Sequence, residues 1–170
     1  MGAGHNEEKF KAAIILRSNS KIWAEAKSEW ELHLVYDDPA ERACECGHQP
    51  INQICVIKNK DNNKEAEVGN VCVHRFMKLA SQRVLSVLKR VRWDLKKSLN
   101  PAALDLFARR GVISNDERSE YLDYWRKRTN LTDEQKAQKN DINVRVLKYA
   151  DEETARLIAN FANHGLKPRL

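Results

Sequence analysis

The chain has no apolar run approaching the ~20 residues that a membrane-spanning helix requires. Its opening stretch, MGAGHNEEKFKAAIILRS, sets acidic side chains before a short apolar patch and offers no small-residue cleavage site, so it does not read as a secretory signal. Asn6 stands where a myristoylation signal wants serine or threonine. The phosphate-loop pattern GxxxxGK[ST], the dinucleotide pattern GxGxxG, the zinc-protease pattern HExxH and the nucleophile elbow GxSxG are all missing. Internal repeats, low-complexity tracts and long linkers are missing too. Paired carboxylates do occur, at Asp37-Asp38, Asp116-Glu117 and Glu152-Glu153, but at turns and helix starts, where capping and the helix dipole account for them. These absences point away from a familiar enzyme. They favour a cytoplasmic chain, where thiols stay reduced.

What is present is concentrated. All four cysteines, Cys44, Cys46, Cys55 and Cys72, and two of the five histidines, His48 and His74, fall within residues 44–76. A tetrahedral zinc site needs four such ligands from at least two chain segments. Cys44 and Cys46 flank Glu45 and precede Gly47, which can take the left-handed conformation of a tight turn. ICVIKN then reads as a strand, KDNN as a turn and KEAEV as the returning strand. Asn70 is positioned to cap a helix beginning at Val71, which places Cys72 in the first turn, where free N–H groups favour a thiolate. Cys44, Cys46 and Cys72 are the firmest ligands. Cys55 is the preferred fourth, with His48 and His74 as alternatives. Reduced cysteines packed as small hydrophobes are the plainer reading.

This order, CxCG, then a strand ending in Asn59, then VGNVC before a helix, resembles the treble-clef zinc modules of small bacterial and phage proteins. The resemblance covers residues 44–76 and implies a structural Zn2+ in a compact scaffold, without implying a reaction. A single residue between Cys44 and Cys46 departs from the usual two.

Residues 1–43 read as an N-terminal segment: a helix or strand over 6–17, a helix in KIWAEAKSEW with Ile22, Ala26 and Trp30 on one face, and a strand WELHLVY ended by Asp37-Asp38-Pro39. His33 in that strand reads as a half-exposed strand residue. From Val71 to Ser98, within a basic amphipathic segment 71–100, spacing predicts one helix about 40 Å long. Val73, Met77, Ala80, Val84, Val87, Leu88, Val91 and Leu95 form its apolar stripe. Opposite lie Arg75, Lys78, Arg83, Lys89, Arg90, Lys96 and Lys97, with Trp93 among them. Residues 101–170 read as a helical region. Asn100 caps a helix opened by Pro101, and Ser114 or Asn115 caps one running through YWRKR. TDEQ at 132–135 is a capping box opening a helix to Tyr149, Asp151 caps a last one, and LKPRL frays. The pair around Gly111 reads as an ordinary helical hairpin before a DNA-reading one.

Net charge is +6, unevenly spread: residues 1–70 hold 9 cations against 12 carboxylates, and residues 71–112 hold 10 against 2. The expected fold is mainly α with a small β-hairpin, a zinc module packed on a helical bundle in one compact domain. The expected function is nucleic-acid binding, with Arg75, Lys78, Arg83, Lys89, Arg90, Lys96 and Lys97 meeting phosphates and Trp93, with Trp125 of YWRKR, stacking on bases. The rival is a phage or bacterial regulatory protein docking an acidic partner. A metal-dependent nuclease using His48, Asn59 and His74 comes third.

Overall fold

A computed structural model describes residues 3–164. The chain divides into two compact units, residues 1–82 and 83–165, where the sequence suggests one domain. The division falls inside a helix.

The first unit opens with helix α1 (Ala3–Leu16), which settles the helix-or-strand choice, and a short α2 (Trp23–Ser28). Three antiparallel strands follow in spatial order β1-β2-β3: β1 (Trp30–Arg42), β2 (Ile51–Asn59) and β3 (Glu65–Gly69). Residues expected as a hairpin thus carry a third strand on the β2 edge. Trp30 pairs with Asn59, Val35 with Cys55, and Cys55 in turn with Val68. Trp30 therefore belongs to the sheet and not to the expected helix face, and Ile22 is exposed.

β1 does not stop at Asp37-Asp38-Pro39. The register slips between Asp37 and Arg42, which lets the proline sit where no ladder hydrogen bond is asked of it. Buried Asp38 accepts from Ala40 N–H at 2.9 Å and from the Arg42 guanidinium at 2.6 Å, and Arg42 also pairs with Glu67. His33, expected half-exposed, is buried at the other register slip. Phe10 of α1 meets Phe76 at 5.1 Å between ring centres, in a core with Ile14, Leu34, Ile54, Val56 and Val68.

The helix expected over Val71–Ser98 is broken. Asn70–Cys72 form a single α-turn, α3, and Val73–Met77 a π-helical turn. Lys78 takes a left-handed φ of 57°, and a separate helix α4 runs from Ser81 to Trp93. Val73 and Met77 fall in the first unit, while Val84, Val87, Leu88 and Val91 fall in the second. The one stripe read from the sequence is two faces serving two cores.

In the second unit α5 (Pro101–Arg109) is capped by Asn100, whose side chain accepts from Ala103 N–H at 2.9 Å. Ser114 caps α6 (Asn115–Tyr124) through a full capping box with Glu117. That helix stops before Trp125-Arg126-Lys127-Arg128. The helix α7 (Asp133–His164) opens on the Thr132–Gln135 box and continues through Asp151, where two helices were expected. Asp151 caps nothing. Its carboxylate takes the Arg92 guanidinium at 2.7 and 3.0 Å. The tail LKPRL lies outside the described residues.

Candidate metal centre and basic segments

The Sγ atoms of Cys44, Cys46 and Cys72 lie within 4.8 Å of one another. The loop after β1 makes the first half of this cluster. Cys44 N–H donates to His48 O at 2.9 Å and Gly47 N–H to Cys44 O at 2.8 Å, with Gly47 at φ +88°, a conformation that side chains disfavour. Glu45, between the two cysteines, is held at 3.0 Å by Arg17, the residue after α1. The end of β3 brings the second half. Gly69 N–H donates to Cys44 Sγ at 3.1 Å, and three residues on Cys72 Sγ sits 3.4 Å from Cys46 Sγ. His48 N–H donates to Cys46 Sγ at 3.4 Å.

The Cys72 thiol and the surrounding N–H groups hold Cys44 down, to about 6, while burial pushes Cys46 up. Cys72 is raised because its thiol donates to Cys44 and is partly buried. A metal that takes all three as thiolates must displace protons. Sulfurs bound to one zinc at about 2.3 Å stand about 3.8 Å apart in a tetrahedron, which this cluster meets with small adjustments. The three cysteines can hold a metal ion.

Cys55, the preferred fourth ligand, is not in that group. It is fully buried in β2, its thiol directed at Asn70 Oδ1 at 3.6 Å, and burial pushes it up to about 12. The side chains of His48 and His74 are exposed and also stand outside the group. Asn59, a candidate nuclease residue, is fully buried and committed: it donates to Glu29 at 2.6 Å and accepts from Asp61 and Asn62 N–H.

Asn70 is the residue that sequence reasoning misplaced most. Gly69 occupies the cap position, and buried Asn70 is a hub. It accepts from Cys55 and Ser81, donates to Gln53 at 3.0 Å, and bonds Gln82. It therefore ties the first residues of α4 to β2, two residues before Cys72.

The expected phosphate contacts do not share one helix. Arg75 and Lys78 are exposed in the first unit, with Arg75 lying over the Phe76 ring at 5.4 Å. Arg83, Lys89, Arg90, Trp93, Lys96 and Lys97 are exposed in the second. Trp93, at the end of α4, is 93% exposed. After it the chain turns tightly, Lys96 N–H on Asp94 Oδ1 at 2.9 Å and Arg90 on Ser98 O at 3.1 Å. That turn is pinned from α7: Asn143 donates to Leu95 O and Lys97 O, both at 2.9 Å, and Lys139 to Lys96 O at 3.3 Å. Buried Asn143 is itself fixed by the Tyr121 hydroxyl at 2.8 Å.

No protein-family model, no curated protein and no solved structure matches this chain. Among the described residues no helix is long and apolar enough to cross a membrane.

Proposed function

We propose that this protein binds nucleic acid through the outward side of α4 and the turn that follows it, and that its three-cysteine cluster holds a structural Zn2+. The observation that carries the reading is Trp93, 93% exposed and flanked in sequence by Lys89, Arg90, Lys96 and Lys97 on a turn fixed by α7. A tryptophan left in water is a standing free-energy cost unless it meets something flat and apolar. Cations around it fit a ligand that joins π-faces to negative charge, as a nucleic acid does. Phosphate neutralisation supplies affinity with little sequence information. In the zinc module, the turn at Cys44–His48, the β2–β3 hairpin and the helical turn bearing Cys72 keep the order of a treble clef, and N–H donors to sulfur suit thiolate ligands.

Fluorescence anisotropy with labelled oligonucleotides at about 50 mM salt, where phosphate-driven affinity is strong, tests this reading. The expected result is micromolar or tighter binding that weakens steeply with salt. Replacing Lys89, Arg90, Lys96 and Lys97 with glutamine should flatten the salt slope without changing zinc content. Absence of binding to single strand and duplex alike would favour a second reading, in which Trp93 anchors an acidic protein partner. Exposed tryptophan with nearby arginine is what interface hot spots are made of.

A further inference from the structure

The second unit has another basic aromatic segment. The connection from α6 to α7 begins Trp125-Arg126-Lys127-Arg128, and residues 125–132 contain no carboxylate. Arg126, Lys127 and Arg128 are exposed, Trp125 is half-buried, and the Arg126 guanidinium lies over the Trp125 ring at 5.1 Å. This segment starts one residue after Tyr124, and Tyr124 belongs to the same buried polar cluster that pins the turn after α4.

One ammonium reaches both Lys96 in that turn and the ring of Tyr124, the residue before this segment. Lys139 is only 5% exposed, and its Nζ stands 3.3 Å from Lys96 O and 6.0 Å from the centre of the Tyr124 ring. Tyr124 stacks on Tyr121 at 5.1 Å, and its hydroxyl donates to Gln138, the neighbour of Lys139, at 2.7 Å. Tyr121 in turn accepts from Leu99 N–H at 3.0 Å, at the far end of the turn after α4. The 94–99 turn and the 125–128 segment therefore leave one braced cluster of α6 and α7 residues. Burying a lysine without a carboxylate partner costs stability, and desolvation lowers Lys139 from the usual lysine value. Among the described residues no ion pair of Lys139 with a carboxylate is seen, so the brace is held by carbonyls and a ring.

We infer that the nucleic-acid surface of the helical unit runs from Trp93, Lys96 and Lys97 onto Trp125, Arg126, Lys127 and Arg128, and that it is built for a single strand. This rests on the nucleic-acid reading above. Two aromatic rings with cations beside them offer stacking to unpaired bases, whose faces a duplex hides, and a strand long enough to touch both segments neutralises more charge than one that touches a single segment. The negative charge next to the first segment is already occupied: Asp94 accepts from Lys96 N–H and stands 4.0 Å from Lys97 Nζ.

The experiment uses the full chain and labelled oligothymidylates of about 6 and about 18 nucleotides, bracketing a single-strand site, with a duplex of the longer length. The variants are Arg126→Gln/Lys127→Gln/Arg128→Gln, all at exposed positions, and Trp125→Ala at a half-buried one, with thermal melts to show that each leaves folding intact. The wild type should prefer the longer single strand. The triple variant should lower the single-strand salt slope by about 2, at roughly 0.7 per phosphate released, and lose most of the length advantage. Trp125→Ala should weaken the single strand more than the duplex.

A wild type that binds, with slope and length dependence untouched by the triple variant, overturns this extension and leaves the parent reading standing. Equal weakening of duplex and single strand by Trp125→Ala overturns the single-strand assignment. Polyglutamate that competes as well as oligothymidylate at equal charge makes the surface a dock for an acidic protein and overturns the proposal. A wild type that binds no nucleic acid sinks the parent reading itself.

Discussion

Residues 1–82 gather all four cysteines and hold 11 cations against 12 carboxylates, whereas residues 83–164 contain no cysteine and hold 17 against 12. The first unit joins distant stretches: Cys44 and Cys46 meet Cys72 only because β2 and β3 run out and back between them. The second unit's helices are instead joined by a buried polar cluster in which Tyr121, Asn143 and Lys139 fix one turn of backbone. Sulfur chemistry and amide chemistry thus do the same mechanical job, holding a loop in one conformation. They differ in what disables them. With the proposed metal in place, a chelator or an acid reaches the first, and only a change of side chain reaches the second.

Metal removal should therefore break the comparison most visibly. Chelation, or Cys72→Ser, should abolish about one zinc per chain and melt the first unit while the helical signal of the second persists. Structural zinc contributes on the order of 10 kcal/mol in small modules, more than any single contact here. Cys55→Ser should keep the metal, because Cys55 faces Asn70 and not the cluster. Metal analysis with circular dichroism melts checks both. Loss of zinc from Cys55→Ser, or an unchanged melt after chelation, would show that the three-cysteine cluster is not the centre.

The matching cut in the second unit is Asn143→Ala. It removes two donors to Leu95 O and Lys97 O and the acceptor of the Tyr121 hydroxyl, all in a buried setting. Unsatisfied buried groups cost about 1–3 kcal/mol each, partly recovered where water enters, so a loss of about 3 kcal/mol in urea unfolding is expected, with zinc content unchanged. Asn143→Asp should be at least as harmful, since a carboxylate cannot donate to those carbonyls. A loss below about 0.5 kcal/mol, the level of an ordinary surface change, would mean that the turn holds itself.

Local chemistry was legible in the sequence where a feature closes on itself. Asn100 with Pro101 and Thr132 with Gln135 are capping arrangements complete within four residues, and both stand; of Ser114 and Asn115, either of which could cap the next helix, Ser114 does so. The hairpin and the association of Cys44, Cys46 and Cys72 were legible too. What failed depends on partners far away. Asp151 looks like a cap, but Arg92 claims it from 59 residues off. Val73 and Val84 satisfy one helical period, and nothing in that spacing reveals that Lys78 turns left-handed between them. Cys55 has the same letter as its neighbours, yet a thiol in a strand buried on both faces is simply a small apolar residue.

The mildest expected difference between the units is in acid. Arg145 and the Ser114 cap hold the Glu117 carboxyl below its ordinary value of 4.5, the Arg145 hydrogen bond being the largest cause. Because the folded value lies below the unfolded one, the unfolded chain binds more protons between them. Stability from this pair is complete above about 4.5 and is lost as pH falls through the depressed value. The side chains are about a third exposed, 31% for Glu117 and 36% for Arg145, so solvent screens the pair. Such pairs contribute on the order of 1 kcal/mol or less. Glu117→Gln keeps a capping-box acceptor while removing the charge, so it should cost little and flatten the acid limb of the second unit's unfolding. The first unit's response to acid, which the proposed metal site would set through protonation of its cysteines, should be unmoved. Urea unfolding of the zinc-loaded chain between pH 3 and 7 separates the two limbs, and an acid limb in the second unit that Glu117→Gln leaves as steep as before would show that this carboxylate is not its source.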